Sequence, residues 1–191
     1  MGQAGDVPAP LPRLLTAAQL SETELRVAAL DGEVYPIGDC WAEIATPDDP
    51  VLRASSVAGL FGRHVIAARD SAAWILMASG GPPWRHFGIV PPAARHRGPD
   101  GRVAISEMTI DGDEIVDLAG VQVTTPARTA LDIARASGWS VTDRRRVDEL
   151  CRSYSVAWAQ IHRLVERRSR LPHRRRAEVR LRALLDPLGA R

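Results

Sequence analysis

The sequence predicts an α+β fold, and three observations predict it. Between His86 and Val123, short runs rich in Val and Ile are separated by the turn dipeptides Asp100-Gly101 and Asp111-Gly112, the pattern of short strands. From Pro126 onward, apolar residues recur at spacings of three and four, the pattern of helices. With 191 residues and 45% apolar composition, the chain can bury a sizeable core. No apolar run approaches the ~18 residues of a membrane span, and residues 1–12 have no basic segment leading into an apolar one. Neither a span nor a signal peptide is expected, and the predicted setting is the cytoplasm.

Residues 1–12 are rich in Gly, Ala and Pro and read as a flexible N-terminus. Residues 13–47 follow the outline of a degenerate winged helix-turn-helix. Thr16 starts a first short helix, Ser21 with Glu24 three residues on makes a capping box for a second that ends near Asp31-Gly32, and residues 33–37 and 40–44 form a hairpin. Pro47-Asp48-Asp49-Pro50 marks a boundary, after which residues 48–138 read as a mixed α/β middle domain. Helical spacing covers 51–61 and 71–77, Val65-Ile66-Ala67 is a brief extended segment, and Gly80-Gly81-Pro82-Pro83 is a loop. Strands are expected at 86–90, 103–110, 114–118 and 120–123. Thr124 or Thr125 then caps a helix with Pro126 at its first position, where a missing N–H costs nothing. Arg128 and Asp132 lie four apart on that helix and read as a solvated ion pair. Three further helices, over 142–154, 155–167 and 173–185, make residues 139–191 a basic helical C-terminal region.

Composition narrows the chemistry. All 25 basic residues are Arg, which points to a GC-rich genome and removes a phosphate-loop Lys, a Schiff-base Lys and the catalytic Lys of restriction-type nucleases. The five histidines, His64, His86, His96, His162 and His173, show no metal-ligand spacing. Cys40 and Cys151 read as ordinary thiols, and no serine sits in a nucleophile elbow. No metal, cofactor or catalytic residue is expected, and the chain is predicted not to be an enzyme. Trp74 and Trp158 fall within apolar helical patterns and read as core. Trp84 reads as packed beneath its Pro-rich loop, the alternative being an exposed anchor beside Arg85 and His86.

The net charge of +2 hides an asymmetry. Residues 140–191 carry 14 Arg against 6 acidic residues, whereas residues 1–139 carry 11 against 17. Three clusters stand out: Arg144-Arg145-Arg146, Arg167-Arg168-Ser169-Arg170 and Arg174-Arg175-Arg176. Three roles remain open for them: neutralising phosphates, docking an acidic protein, or forming a solvated surface.

The order of features resembles the AbiEi-type antitoxin family of type IV toxin-antitoxin systems, in the actinobacterial form lacking a Vsr-like endonuclease domain. The residues carrying the resemblance are the short element at 15–20 followed by a helix and hairpin, Asp70-Ser71-Ala72-Ala73-Trp74, and above all the run from Val121 through Thr124-Thr125-Pro126-Ala127-Arg128-Thr129-Ala130-Leu131-Asp132 to Ala134. The resemblance implies an N-terminal winged helix that binds operator DNA and represses its own operon, with a C-terminal domain acting against a nucleotidyltransferase toxin. One departure opposes DNA binding through 14–46: Glu22, Glu24, Asp31, Glu33, Asp39 and Glu43 face a single helix cation, Arg26. The expected nucleic-acid contacts are therefore Arg144, Arg145, Arg146, Arg167, Arg168, Arg170, Arg174, Arg175 and Arg176, with Arg26 the one recognition-helix candidate. The alternative is a protein-interaction module that binds a toxin or another acidic partner without DNA. Oligomeric state is left open.

Overall fold

Ser21 accepts from the Glu24 N–H while Glu24 reaches back to the Ser21 N–H, and this reciprocal cap starts α1 (Glu22–Leu30), which stops at Asp31. A computed structural model describes residues 13–62, 64–77, 79–92, 101–168 and 171–185 of the chain. Residues 1–12, expected to be flexible, lie outside these, as do His96, Asp100 and Arg170. The hairpin β1 (Val34–Ile37) and β2 (Cys40–Glu43) follows as expected. Its tip needs Gly38: φ is +54° there, and a Cβ would lie 2.3 Å from Ser56 Oγ and 2.8 Å from Val57 Cγ1.

The expected helix at Thr16 is a single turn. Thr16 spends its N–H and hydroxyl on the Gln19 side chain, while Leu15 is drawn into a backbone bridge with Trp41 of β2. The N-terminal unit therefore holds one helix and its hairpin rather than two helices. Ile37 and Ala42 join the main apolar cluster of the chain, whereas Leu15, Leu25 and Val34 form a small cluster beneath α1.

Asp49 caps α2 (Pro50–Ser56) by accepting from the Leu52 N–H, and the helix gives way at Val57 to a 3-10 turn over Ala58–Leu60, shorter than the 51–61 spacing suggests. After β3 (Ile66–Ala67), α3 (Arg69–Ile75) buries Ser71, Ala72, Ala73, Trp74 and Ile75. Strands β4 (His86–Val90), β5 (Val103–Glu107), β6 (Ile115–Leu118) and β7 (Val121–Thr124) complete a mixed sheet in the order β5-β4-β3-β7-β6. Pairing is parallel for β4–β5 and β3–β7 and antiparallel for β3–β4 and β6–β7.

One sheet face carries Ala67, Val90, Val103, Val121 and Val123 into the main core, and the other carries Ile66, Ala68 and Ile89 into a smaller cluster. This is the alternation that period-two strands impose. On the main face lies α4 (Pro126–Arg135), buried from Arg128 to Ala134 and touching α3, α5 (Val141–Ser153), α6 (Trp158–Glu166) and α7 (Arg174–Leu185). Pro126 occupies its first turn as expected, but neither threonine caps it through a side chain. Thr124 and Thr129 instead bond each other's hydroxyls at 2.7 Å.

Candidate nucleic-acid interface

The arginine clusters sit where helix periodicity puts them. Ser140 and Asp143 form a capping box that starts α5, which buries Val147, Leu150 and Cys151. α6 buries Ile161, Leu164 and Val165, and α7 buries Ala177 and Leu181. Burial pushes the Cys151 thiol up to about 12, so it packs as an inert apolar group.

Most of the expected phosphate contacts are engaged within the chain. Arg145 pairs with Glu149 at 2.9 Å, and Arg146 reaches Asp70 of α3 at 3.1 Å. Arg167 pairs with Asp113 at 2.7 Å, and Arg168 takes both oxygens of Glu114 at 2.7 Å each and Asp111 at 3.1 Å. Arg174 bridges Glu166 and Glu178, and Arg26 pairs with Glu22 at 2.6 Å. Hydrogen bonds from Arg167 hold the Asp113 carboxyl below its usual range. Arg144, Arg175 and Arg176 are exposed and, among the described residues, have no carboxylate partner. The nearest bond of Arg176 is a long one, 3.4 Å to the Ala136 carbonyl. Exposed pairs such as Arg145–Glu149 are weak enough to open toward a phosphate, whereas Arg168, 14% exposed and doubly paired, is structural.

Of the clustered arginines, Arg168 belongs to a buried ionic hub. Arg128, expected in solvent, has a side chain only 2% exposed; its guanidinium bonds Asp132 at 2.7 Å and Glu114 at 2.5 Å. Asp132 also accepts from Arg135, whose Nε bonds the Pro172 carbonyl ahead of α7. Glu114 is fully buried between Arg128 and Arg168. Burial alone would raise its carboxyl, but the two guanidiniums outweigh that and hold it below the usual range. Glu114 thus ties α4 and the end of α6 to the turn at 111–114. Asp111, Asp113 and Glu114 are the functional neighbours that sequence reasoning missed, though three acids within four residues, set against Arg167-Arg168, carried the signal.

Elsewhere, Trp74 is core as expected, while Trp158 is half-buried under the Arg182 guanidinium at 4.9 Å. Trp84, expected beneath its loop, is instead 93% exposed. Two cavities of about 400 and 460 Å³ flank Arg167. The second is lined by Arg128, Arg135 and Arg168, but their carboxylate partners leave little net charge for a ligand. Among the described residues no cluster of His, Cys, Asp or Glu suits a metal, and no helix is long and apolar enough to cross a membrane.

Residues 64–187 match the family described as AbiEi antitoxin C-terminal domain. No curated protein matches the chain. Among solved structures, the RV2827C protein from Mycobacterium tuberculosis has a similar fold, with a TM-score of 0.50 and 21% identity, covering 92% of this chain and 72% of that one.

Proposed function

The chain belongs to the AbiEi antitoxin C-terminal domain family, and on that footing we propose that it is the antitoxin of a toxin–antitoxin pair that also binds DNA to regulate its own operon. Family membership supports the antitoxin role; the DNA contact rests on one observation. Arg144, Arg175 and Arg176 are exposed and unclaimed by any described carboxylate, on the two helices where the sequence concentrates its positive charge. An arginine already paired must give up its carboxylate before it meets a phosphate, so these three are the first contacts. α1 is a poor DNA surface, because its one cation, Arg26, lies among Glu22, Glu24 and Asp31, whose charges repel phosphate.

The test is a salt titration of binding to the DNA upstream of its own gene. With three phosphates at about −0.9 each, the slope of log affinity against log salt is expected near −2.7. The combined Arg144→Gln, Arg175→Gln and Arg176→Gln variant abolishes that slope. No binding at low salt removes the DNA contact and leaves the antitoxin role.

A toxin contact without DNA is favoured by a different observation. Val27 and Leu30, neighbours on the outer side of α1, are 51% and 87% exposed, an apolar surface suited to protein rather than phosphate. The toxin expected from the resemblance is a nucleotidyltransferase. Co-purification of the neighbouring gene product, surviving nuclease treatment and lost in Leu30→Asp, tests this contact.

A further inference from the structure

A second basic surface lies at the start of β4, at the far end of a loop that begins beside Arg146 of α5. Trp84 stands 93% exposed at the end of the Gly80-Gly81-Pro82-Pro83 loop, where two prolines limit the backbone freedom lost on binding. Arg85 beside it is exposed. Two residues further on, the ring of Phe87 carries the Arg69 guanidinium 4.7 Å from its centroid. Neither Arg69 nor Arg85 has a carboxylate partner among the described residues. Arg69 is also held at φ +52°, a left-handed conformation that costs a non-glycine residue energy and that tends to persist where function requires it. An aromatic face in solvent, the exposed Arg85 guanidinium next to it in the chain, and the Arg69 guanidinium over the Phe87 ring combine stacking with phosphate attraction.

We propose that this end of β4 binds single-stranded nucleic acid, with Trp84 as the face on which a base stacks and Arg69 and Arg85 as phosphate contacts. Duplex bases are already stacked on one another and offer no face to Trp84, so an unpaired strand or loop is the fitting ligand. The cations next to Trp84 in the chain and over Phe87 select a polyanion over a purely apolar protein pocket. This contact uses none of Arg144, Arg175 and Arg176, so it is tested separately from the DNA contact proposed for them.

The test uses the full chain with Arg144→Gln, Arg175→Gln and Arg176→Gln already in place, so that the other basic face is silent. Its affinity for a labelled oligothymidylate of about 16 nucleotides is followed by anisotropy at low salt. Trp84→Ala is expected to weaken binding about tenfold or more, and Trp84→Phe to recover most of it. Arg85→Gln is expected to flatten the salt slope by about 0.7, the single-strand value for one phosphate. A duplex of the same length binds more weakly and is indifferent to Trp84→Ala. Equal affinity of Trp84→Ala and its parent for the single strand overturns the proposal, as does failure of the parent to bind it at low salt.

Discussion

Replacing Glu114 by Gln tests whether the buried hub holds the C-terminal helices to the sheet. The native carboxylate takes two bonds of 2.7 Å from Arg168 and a short one from Arg128, all in a side chain with no exposed surface. Gln keeps the shape but not the charge: one amide oxygen faces two guanidiniums, and its NH₂ donors point at groups that only donate. Removing one member of a buried ionic cluster costs about 3–5 kcal/mol. Arg128 retains Asp132 and Arg168 retains Asp111, which puts the loss near the lower end, about 3 kcal/mol. For a chain of this length, about 2–4 °C of Tm per kcal/mol gives a fall of about 6–12 °C. The measurements are thermal and urea unfolding followed by far-UV circular dichroism. Asp113→Asn is the control, because Asp113 pairs with Arg167 in a similar way but in solvent, at 59% exposure. If Glu114→Gln loses no more stability than Asp113→Asn, the hub is not what secures α4 to the end of α6.

Gly38→Ala is expected to destabilise the chain by about 1–3 kcal/mol, since the added methyl meets Ser56 and Val57 at contact distances too short to keep and the backbone is left-handed; urea unfolding measures it, and an unchanged midpoint would mean that the hairpin tip does not press on α2. His86 sets a pH dependence. It is buried against Phe61 and Trp74, with Nδ1 3.0 Å from Ser71 Oγ, a hydroxyl that already accepts the Phe87 N–H. Burial lowers its folded-state pKa below the unfolded 6.5, with Arg102 adding to the shift and Asp39 opposing it. The unfolded chain therefore takes up the proton first. Stability from this group is complete above pH 6.5 and is lost as pH falls from there through the folded pKa. Tm is expected to decline below pH 6.5, before the carboxylates titrate, and a His86→Asn variant should flatten that part of the curve; equal slopes in both proteins would refute it.

The elements were legible because local chemistry decides them. The Ser21–Glu24 and Ser140–Asp143 boxes start helices where the sequence places them, and Pro126 marks the first turn of α4. The misreadings share a cause in contacts distant along the chain. An Arg and an Asp four apart look the same whether water or protein surrounds them. Arg128 is buried against Glu114, fourteen residues earlier, whose carboxylate Arg168, forty residues after Arg128, also binds. Thr16 has a helix-starting sequence, yet the Leu15–Trp41 bridge holds the preceding chain extended. Trp84 lies in a loop, where periodicity gives no information about burial.

The same long-range pairing changes what the basic C-terminus offers a partner. Formal charge over residues 140–191 suggests a strong polyanion binder, but Arg146, Arg167 and Arg168 are matched by acids from α3 and the 111–114 turn. Three phosphate contacts, from Arg144, Arg175 and Arg176, imply that a rise from 50 to 200 mM salt weakens binding by about 40-fold. If DNA also draws Arg145, Arg167 and the half-buried Arg174 away from their carboxylates, six contacts steepen the slope to about −5.4 and the loss to about 1,800-fold. The two cases differ in more than magnitude. In the second, Asp113 competes with phosphate for Arg167, so Asp113→Asn raises DNA affinity; in the first it leaves affinity unchanged, because Arg167 never leaves the turn. The salt slope of the wild type and the response to Asp113→Asn must therefore agree, and that agreement separates a surface of three fixed cations from one that opens its ion pairs to bind.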